Sequence, residues 1–283
     1  PTEPLPPEGV AAIHDAAMRV LEETGIDFLH PEARAILAAL GQHLLLVGLS
    51  LVVSLAIALP LGVGVALFPI DGATPSLRQY LAALLIGLWG LRLGSHIAVR
   101  AAHEEREDAR YARLREDWGA GFQVKMFGFL MLQAGAAAFL ALSVMAAARN
   151  PAPGLTLQDV LATLIFVGAL IGEAVSDRQL AAFKRNPANR GGVCDIGLWA
   201  WSRHPNYFFE WVSWCAWPVF AINLSGEWPW GWLALTGPAY MYWLLTKVSG
   251  VPLLEEHMRQ SRPKAFEAYA ARTSAFFPRP PRR

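Results

Sequence analysis

The sequence is poor in charged residues, in cysteine and in generic cofactor motifs. Asp, Glu, Lys and Arg make up 17% of its 283 residues, against about a quarter in a typical soluble domain. The formal net charge of +1 gives no broad positive field and argues against a nucleic-acid partner. Two cysteines, Cys194 and Cys215, are too few for a disulfide framework or a metal-ligand cluster, so we expect free thiols and no metal site. A G-x-G-x-x-G dinucleotide fingerprint is also missing, so no cofactor follows from a generic motif.

Apolar residues are correspondingly abundant, at 54% of the chain. A transmembrane helix needs about 20 of them in succession. Six stretches approach that length, at residues 43–67, 77–99, 124–147, 157–174, 208–224 and 230–245. Although the length of the chain would suit two soluble domains, this pattern predicts an all-α, multi-pass membrane bundle of about six transmembrane helices.

Basic residues predict the orientation of this bundle. They are concentrated in three segments, at 100–123, 175–207 and beyond residue 247. The loops between these segments, near 68–76, 149–156 and 225–229, contain only one basic residue, Arg149. Cytoplasmic loops of membrane proteins carry the excess of Lys and Arg. The pattern therefore predicts an integral membrane protein with both termini in the cytoplasm and the lipid bilayer as its partner.

The front of the chain differs from the rest. Residues 8–40 have apolar residues at helical spacing, and they resemble the N-terminus of trimethylamine methyltransferase-like proteins, without the catalytic barrel of that family. Residues 43–67 resemble an early helix of glycine betaine-type ABC transporter permeases. We therefore predict a soluble helical extension (1–42), a first transmembrane helix of uncertain origin (43–71) and a main membrane domain (72–283). A fusion, a chimera and an assembly artefact are the three explanations of this front end.

Four motifs characterise the main domain. They are LWGLRLGSHIAVR (88–100), EDARYARLREDWG (107–119), DRQLAAFKRNPANRGGVCDIGLWAWSRHPNYFFEW (177–211) and KVSGVPLLEEHMRQSRPKAFEAYAARTSAFFPRPPRR (247–283). Together they resemble bacterial membrane proteins of unknown function that share the steroid 5-alpha-reductase C-terminal domain. That group is related to sterol reductases and, more distantly, to isoprenylcysteine carboxyl methyltransferases. The resemblance implies a helical enzyme of the bacterial inner membrane.

The strongest candidate site lies where the apolar stretch 208–224 begins. Asn206, Tyr207 and Glu210 are three or four residues apart and share one helical face. A carboxylate at the head of an apolar span should face a polar interior, although the helix dipole also favours an acid there. In the similar reductases the matching Asn and Glu bind the nicotinamide end of NADPH, so the resemblance implies this role for Asn206 and Glu210.

Donors for a phosphate or carboxylate precede this helix. They are Asn189, Arg190, Arg203 and His204, with Gly191 allowing close backbone approach. A membrane-flanking loop rich in Arg and Gly is the alternative interpretation. Glu173 and Asp177, four residues apart, could bind ribose hydroxyls or be plain interfacial charges, and the resemblance favours Asp177 as a cofactor contact.

Three residues are candidates for the group that polarises a substrate carbonyl or donates a proton. Arg92 and His96 are four residues apart within a predicted span, where a charged residue indicates a functional site. A buried ion pair for Arg92 and snorkelling of His96 towards the interface are the alternatives. Tyr111, with Asp108 and Arg110, could form a second wall of the cofactor cavity or belong to a solvated, salt-bridged helix.

The C-terminal motif adds Glu256, Tyr269 and Arg272. The resemblance implies that this segment closes over the cofactor, and a helix lying on the lipid surface is the alternative. Two residues depart from the family pattern. Phe209 stands where relatives carry a small residue, often glycine, and Ala200 stands where they carry a basic or aromatic one. The Phe209 ring should either narrow the cavity or turn towards lipid.

These observations predict an NADPH-dependent reductase that acts on an activated carbon–carbon double bond of a lipophilic, steroid-like substrate. Hydride would pass to the β carbon of an enone while a donor stabilises the developing enolate. A methyltransferase that holds S-adenosylmethionine in the same block is the second hypothesis. A membrane scaffold without catalytic activity is the third.

Overall fold

The structure, a computed structural model, describes residues 74–103 and 118–281, together with 63, 64, 66 and 67. The predictions for residues 1–42, for most of 43–71 and for Tyr111 lie outside these residues. Seven α-helices follow one another in the described part: α1 (Leu77–His103), α2 (Phe122–Ala148), α3 (Leu157–Arg185), α4 (Pro205–Ala221), α5 (Thr236–Trp243), α6 (Val251–Ser261) and α7 (Pro263–Arg272). Within these residues there is no strand, only a single bridge between Ser202 and Ser274. The predicted all-α class is confirmed.

Helix α3 is the one helix of the described residues that is long and apolar enough to cross a membrane. It contains the predicted span 157–174. The predicted spans 77–99, 124–147 and 208–224 correspond to α1, α2 and α4, and residues 134–148 of α2 form a shorter apolar helix. The stretch 230–245 is not one continuous α-helix, because a 3-10 helix (Pro229–Leu235) precedes α5 and a π-helical turn (Leu244–Val248) follows it.

The core lies between α2, α3 and α4, and α3 and α4 make the most extensive helix–helix contact. Its centre is aromatic. The rings of Phe166 on α3 and Trp217 on α4 meet edge to face with centroids 5.4 Å apart, and Trp217 is 1% exposed. Phe220 packs against Trp217 at 5.9 Å. Large buried rings contribute much of the apolar area that holds such helices together.

The C-terminal end of α4 is closed by side-chain amides. The last carbonyls of a helix have no partner within it. Here the carbonyls of residues 219–222 accept hydrogen bonds from Gln158 and Asn150. Gln158 lies in the first turn of α3 and Asn150 follows α2, so two neighbouring elements fix the end of α4.

A buried ion pair joins α1 to the start of α3. The Arg78 Nε atom lies 2.8 Å from Asp159 Oδ1, and the two side chains are 3% and 2% exposed. Arg78 also donates to three backbone carbonyls in the loop 150–154. Asp159 in turn accepts from the backbone and hydroxyl of Thr156, as in a capping box. The guanidinium is therefore fully used in fixing this loop.

The C-terminal segment docks on the loop that precedes α4. The Tyr269 hydroxyl donates to the Trp199 carbonyl at 2.5 Å, and the Ser202 hydroxyl donates to the Phe276 carbonyl at 2.8 Å. The backbone N–H of Arg203 donates to the Ser274 carbonyl at 2.8 Å. These bonds fix α7 and the residues after it beside the first turn of α4.

Candidate functional site

Five polar residues from three helices meet near the start of α4, and we call them the acidic cluster. Arg92 comes from α1, Glu173 and Asp177 from α3, and Asn206 and Glu210 from α4. The two pairs on α3 and α4 each have a spacing of four residues, so each pair lies on one face of its helix. The close contact of α3 with α4 turns these two faces towards each other.

Arg92 joins the two acids of α3. Its Nη2 atom donates to Asp177 Oδ2 at 2.7 Å, and its Nη1 atom forms an ion pair with Glu173. Of the two interpretations of Arg92, a functional group or a buried ion pair, the ion pair describes its contacts in the structure. A guanidinium that is held by two carboxylates has less freedom to polarise a substrate carbonyl.

Glu210 is held by indole groups. The Trp89 Nε1 atom donates to both carboxylate oxygens at 3.1 Å, and the Trp214 Nε1 atom donates to Oε1 at 3.0 Å. The two rings meet edge to face with centroids 5.6 Å apart. Fixed donors of this kind hold a carboxylate in one orientation without supplying a compensating positive charge.

Asn206 links the helices on the other side of the cluster. Its Nδ2 atom donates to Asp177 Oδ1 at 3.4 Å, and its Oδ1 atom accepts from the backbone N–H of Tyr207 at 3.0 Å. The candidate contacts Asp177, Asn206 and Glu210 are therefore neighbours, as the spacing along the chain predicted for the pair on α4.

Phe209 packs towards α3. A Cβ atom placed on Gly172 would overlap the Phe209 ring, so the absence of a side chain at position 172 makes room for it. The ring also meets Phe208 at 5.4 Å. The ring thus fills a gap between α3 and α4, next in sequence to Glu210.

Arg203 and His204 belong to a second polar group, which includes Glu255 of α6. Arg203 donates from Nε to Glu255 Oε1 at 2.8 Å and from Nη1 to the carbonyls of Ala270 and Thr273. The His204 Nε2 atom lies 3.2 Å from Glu255 Oε1. Burial by itself raises the pKa of the Glu255 carboxyl, but the hydrogen bonds from His204 and Arg203 hold this pKa below its usual value. The contacts of Arg203 thus tie α4 to α6 and α7.

Two tyrosines pack around this second group. The ring of Tyr207 stacks on His204 with centroids 5.7 Å apart. Tyr269 is buried, and burial raises the pKa of its phenol above the ordinary range. Its hydroxyl is engaged with the Trp199 carbonyl, which gives Tyr269 a role in docking α7.

The remaining candidates make their contacts outside the acidic cluster. The Asn189 side chain donates to the Phe183 carbonyl at 2.9 Å, and Arg190 is exposed beside Gly191, whose φ is 81°. Arg272 forms an exposed ion pair with Asp195, and Glu256 is exposed on α6. His96 lies one turn beyond Arg92 on α1, but its side chain is outside the description.

Trp89 and Trp214 are the site residues that the sequence reasoning missed. Trp89 precedes Arg92 by three residues and Trp214 follows Glu210 by four, so the helical spacing places each beside a recognised candidate. Glu173 was noticed only as a companion of Asp177. Helical spacing could not identify Glu255, because this residue lies 52 positions from its partner Arg203.

Comparison with known families shows to which family region of the chain the acidic cluster belongs. The model of a family described as "Protein of unknown function (DUF1295)" matches residues 41–273, which is most of the chain. The chain belongs to the DUF1295 family. The match includes every residue of the acidic cluster and also the stretch 43–67. The cluster is therefore part of the DUF1295 region itself.

A second family model, described as trimethylamine methyltransferase (MTTB), matches residues 1–52. The resemblance that the sequence showed at residues 8–40 is confirmed. The two matches overlap at residues 41–52. No curated protein and no solved structure matches the chain.

Proposed function

We propose that this DUF1295 protein is a membrane oxidoreductase that uses NADPH to reduce an activated carbon–carbon double bond of a lipophilic, steroid-like substrate. The observation that carries the proposal is the convergence of Asp177, Asn206 and Glu210 in one cluster. These are the positions at which the resemblance to sterol reductases implies cofactor contacts.

The exposed surface of α3 supports a membrane location. Six large apolar residues of this helix are between 38% and 84% exposed: Leu157, Val160, Leu161, Leu164, Val167 and Ile171. A contiguous apolar surface of this kind favours lipid or a partner over water. We extend this to the six-span arrangement in the bacterial inner membrane, with both termini and the basic loops on the cytoplasmic side.

The acidic cluster fits the amide end of a nicotinamide cofactor. A carboxamide carries two N–H donors and one acceptor, and Glu210, Glu173 and the Asn206 amide supply complementary groups. The exposed Arg190, beside Gly191, is available for the phosphates. Arg203 and His204, already engaged with Glu255, would act by positioning the first turn of α4.

NADPH would supply the hydride that reduces the double bond. The chain would contribute orientation through Asn206 and Glu210, and the Trp89 and Trp214 rings would exclude water from the Glu210 carboxylate. Because Arg92 is held by two acids, we assign the carbonyl-polarising role to His96 or Tyr111.

One observation favours the methyltransferase alternative. The cluster contains more carboxyl groups than guanidinium groups, and such a site suits the sulfonium of S-adenosylmethionine. That function would use the same residues with a different cofactor.

Calorimetric titration of the purified protein in detergent separates these functions. We expect NADPH to bind and Glu210→Gln to abolish its binding, since the amide removes the acceptor charge. Glu227→Gln, an exposed acid in the loop after α4, is the matched control and should bind as the parent does. Binding of S-adenosylmethionine alone would refute the reductase, and binding of neither cofactor would favour the inactive scaffold.

A further inference from the structure

Aromatic side chains from three parts of the chain meet beside the first turns of α4. Phe208 and Trp211 belong to α4, Tyr242 belongs to α5, and Phe276 and Phe277 lie in the segment after α7. The centroids of contacting rings are between 5.3 and 6.2 Å apart. These contacts join the C-terminal segment to both helices.

Part of this ring cluster reaches the surface. The rings of Phe277 and Tyr242 are exposed, and they stack on each other with centroids 6.0 Å apart. Two half-exposed tryptophans lie nearby along the chain: Trp243 directly follows Tyr242, and Trp201 lies in the loop that precedes α4. Exposed tryptophan and tyrosine side chains are typical of the boundary between hydrocarbon and water in membrane proteins.

Two exposed basic residues flank these rings. Arg279 follows Phe277 by two residues, and its backbone N–H donates to the Trp201 carbonyl at 2.9 Å. Lys247 lies in the π-helical turn that follows α5, the helix that carries Tyr242. Neither basic side chain has an acidic partner among the described residues, so both cations are open to an anionic ligand.

The combination of exposed rings and open cations matches the chemistry of a phospholipid. The rings present apolar area to the first carbons of an acyl chain, while the two cations suit a phosphate. In the proposed orientation this end of the bundle lies at the cytoplasmic leaflet, whose anionic lipids attract Lys and Arg side chains near the membrane surface.

We propose that this aromatic–basic surface, made of Trp201, Tyr242, Lys247, Phe277 and Arg279, binds an anionic phospholipid. The phosphate lies against the two cations, and the acyl chain begins on the exposed rings. A free phosphate would use the cations alone, and the adjoining apolar area is the reason to assign a lipid. The proposal uses the membrane location of the proposed function but neither its cofactor nor its reaction.

The test compares two lipids that have the same acyl chains, dioleoyl phosphatidylglycerol and dioleoyl phosphatidylcholine. Each is added in rising mole fraction to the full chain purified in detergent. A ligand of the folded protein raises the melting temperature with its concentration, which gives an apparent Kd for each lipid. We expect phosphatidylglycerol to bind about tenfold or more tightly, as two basic residues near an anionic headgroup would produce. Glycerol 3-phosphate, which has the charge but no acyl chains, should give no shift at the same concentration.

Single substitutions remove each charge in turn. Lys247→Gln and Arg279→Gln should each lower the ratio of the two Kd values by about fivefold, whereas Lys247→Arg should keep it. Arg279→Gln should leave the C-terminal segment docked, because the backbone of Arg279 makes the contact with Trp201. The control is the double variant Lys184→Gln, Arg185→Gln, which removes two exposed basic residues from the end of α3. It should bind both lipids as the parent does.

The outcomes decide between a defined surface and general attraction. A preference for phosphatidylglycerol that falls in Lys247→Gln and Arg279→Gln but persists in the control supports the proposal. Equal Kd values for the two lipids overturn it. An equal loss of preference in the control also overturns it, because any basic residue of this end would then serve. A shift with glycerol 3-phosphate as large as that with phosphatidylglycerol would refute the assignment to a lipid. None of these results bears on the reductase, which the NADPH titration tests separately.

Discussion

At the residue scale, the carboxylate of Glu210 is stabilised by the N–H groups of Trp89 and Trp214, while the guanidinium of Arg92 contacts the other two acids. This division leaves Glu210 as an oriented acceptor. The spacing of Asn206 and Glu210 was enough to predict their common face. The sharing of Arg92 between Glu173 and Asp177 could not be predicted, because it depends on how α1 packs against α3.

Gly172 provides a residue-scale prediction. Gly172→Ala should destabilise the protein by about 1–3 kcal/mol, because the new methyl group overlaps the Phe209 ring. Thermal unfolding in detergent measures the effect. Gly168→Ala lies one turn earlier on α3 in open space, so it should be neutral or stabilising by about 1 kcal/mol. Phe209→Ala in the Gly172→Ala background should recover part of the loss, and strictly additive effects would contradict the contact.

Arg78 provides a second residue-scale prediction. Arg78→Met should cost about 3–5 kcal/mol, because it leaves the Asp159 carboxylate buried without its partner. Chemical unfolding of the two proteins under identical conditions measures the loss. Arg178→Met, an exposed position on α3, is the control and should change stability by less than about 0.5 kcal/mol. Equal losses of stability in Arg78→Met and Arg178→Met would contradict a stabilising role for the buried Arg78–Asp159 pair.

At the element scale, α6 and α7 are attached to the start of α4 through one carboxylate. Glu255 faces Arg203, His204 and Arg259, and no other residue of α6 is buried. The amphipathic pattern of α6 was visible in the sequence. Its docking partner was not, because an ion pair between residues 203 and 255 depends on the fold of everything between them.

The lowered pKa of Glu255 predicts how this attachment responds to acid. Since the folded pKa lies below the unfolded value of about 4.3, the stabilisation is fully present above that pH. It is lost as the pH falls through the folded pKa. We expect the melting temperature of the parent to fall more steeply between pH 5 and pH 3 (roughly one unit to either side of the unfolded value) than that of Glu255→Gln.

The comparison between the parent and Glu255→Gln has a control variant. Glu255→Gln should be less stable than the parent at pH 7, because Arg203 loses its charged partner, and the gap should narrow in acid. Glu267→Gln, an exposed acid on α7, should follow the parent at every pH. Parallel curves for the parent and Glu255→Gln would contradict the assignment.

At the scale of the whole molecule, α3 is the helix on which the proposed membrane location depends. Its 29 residues extend over about 43 Å at 1.5 Å per residue, more than the hydrocarbon thickness of about 30 Å. Hydropathy predicted this span and the all-α class well. It did less well at residues 230–245, where a 3-10 helix precedes α5 and a π-helical turn follows it. Gly231 there packs against the Ala221 carbonyl, a contact that composition does not reveal.

The span predicts that its two ends face opposite sides of the membrane. In a Cys194→Ser, Cys215→Ala background, we expect Pro153→Cys to react with an impermeant maleimide in intact spheroplasts. Ala188→Cys should react only after lysis, because the proposed orientation places the basic loop in the cytoplasm. Both positions are exposed in the fold, which makes them a matched pair. Labelling of both from one side would refute the crossing of α3.

The contact between Phe209 and Gly172 has a consequence for descent. A ring at position 209 leaves no room for a side chain at position 172, so the two positions constrain each other. In related sequences a large residue at one position should be accompanied by a small one at the other.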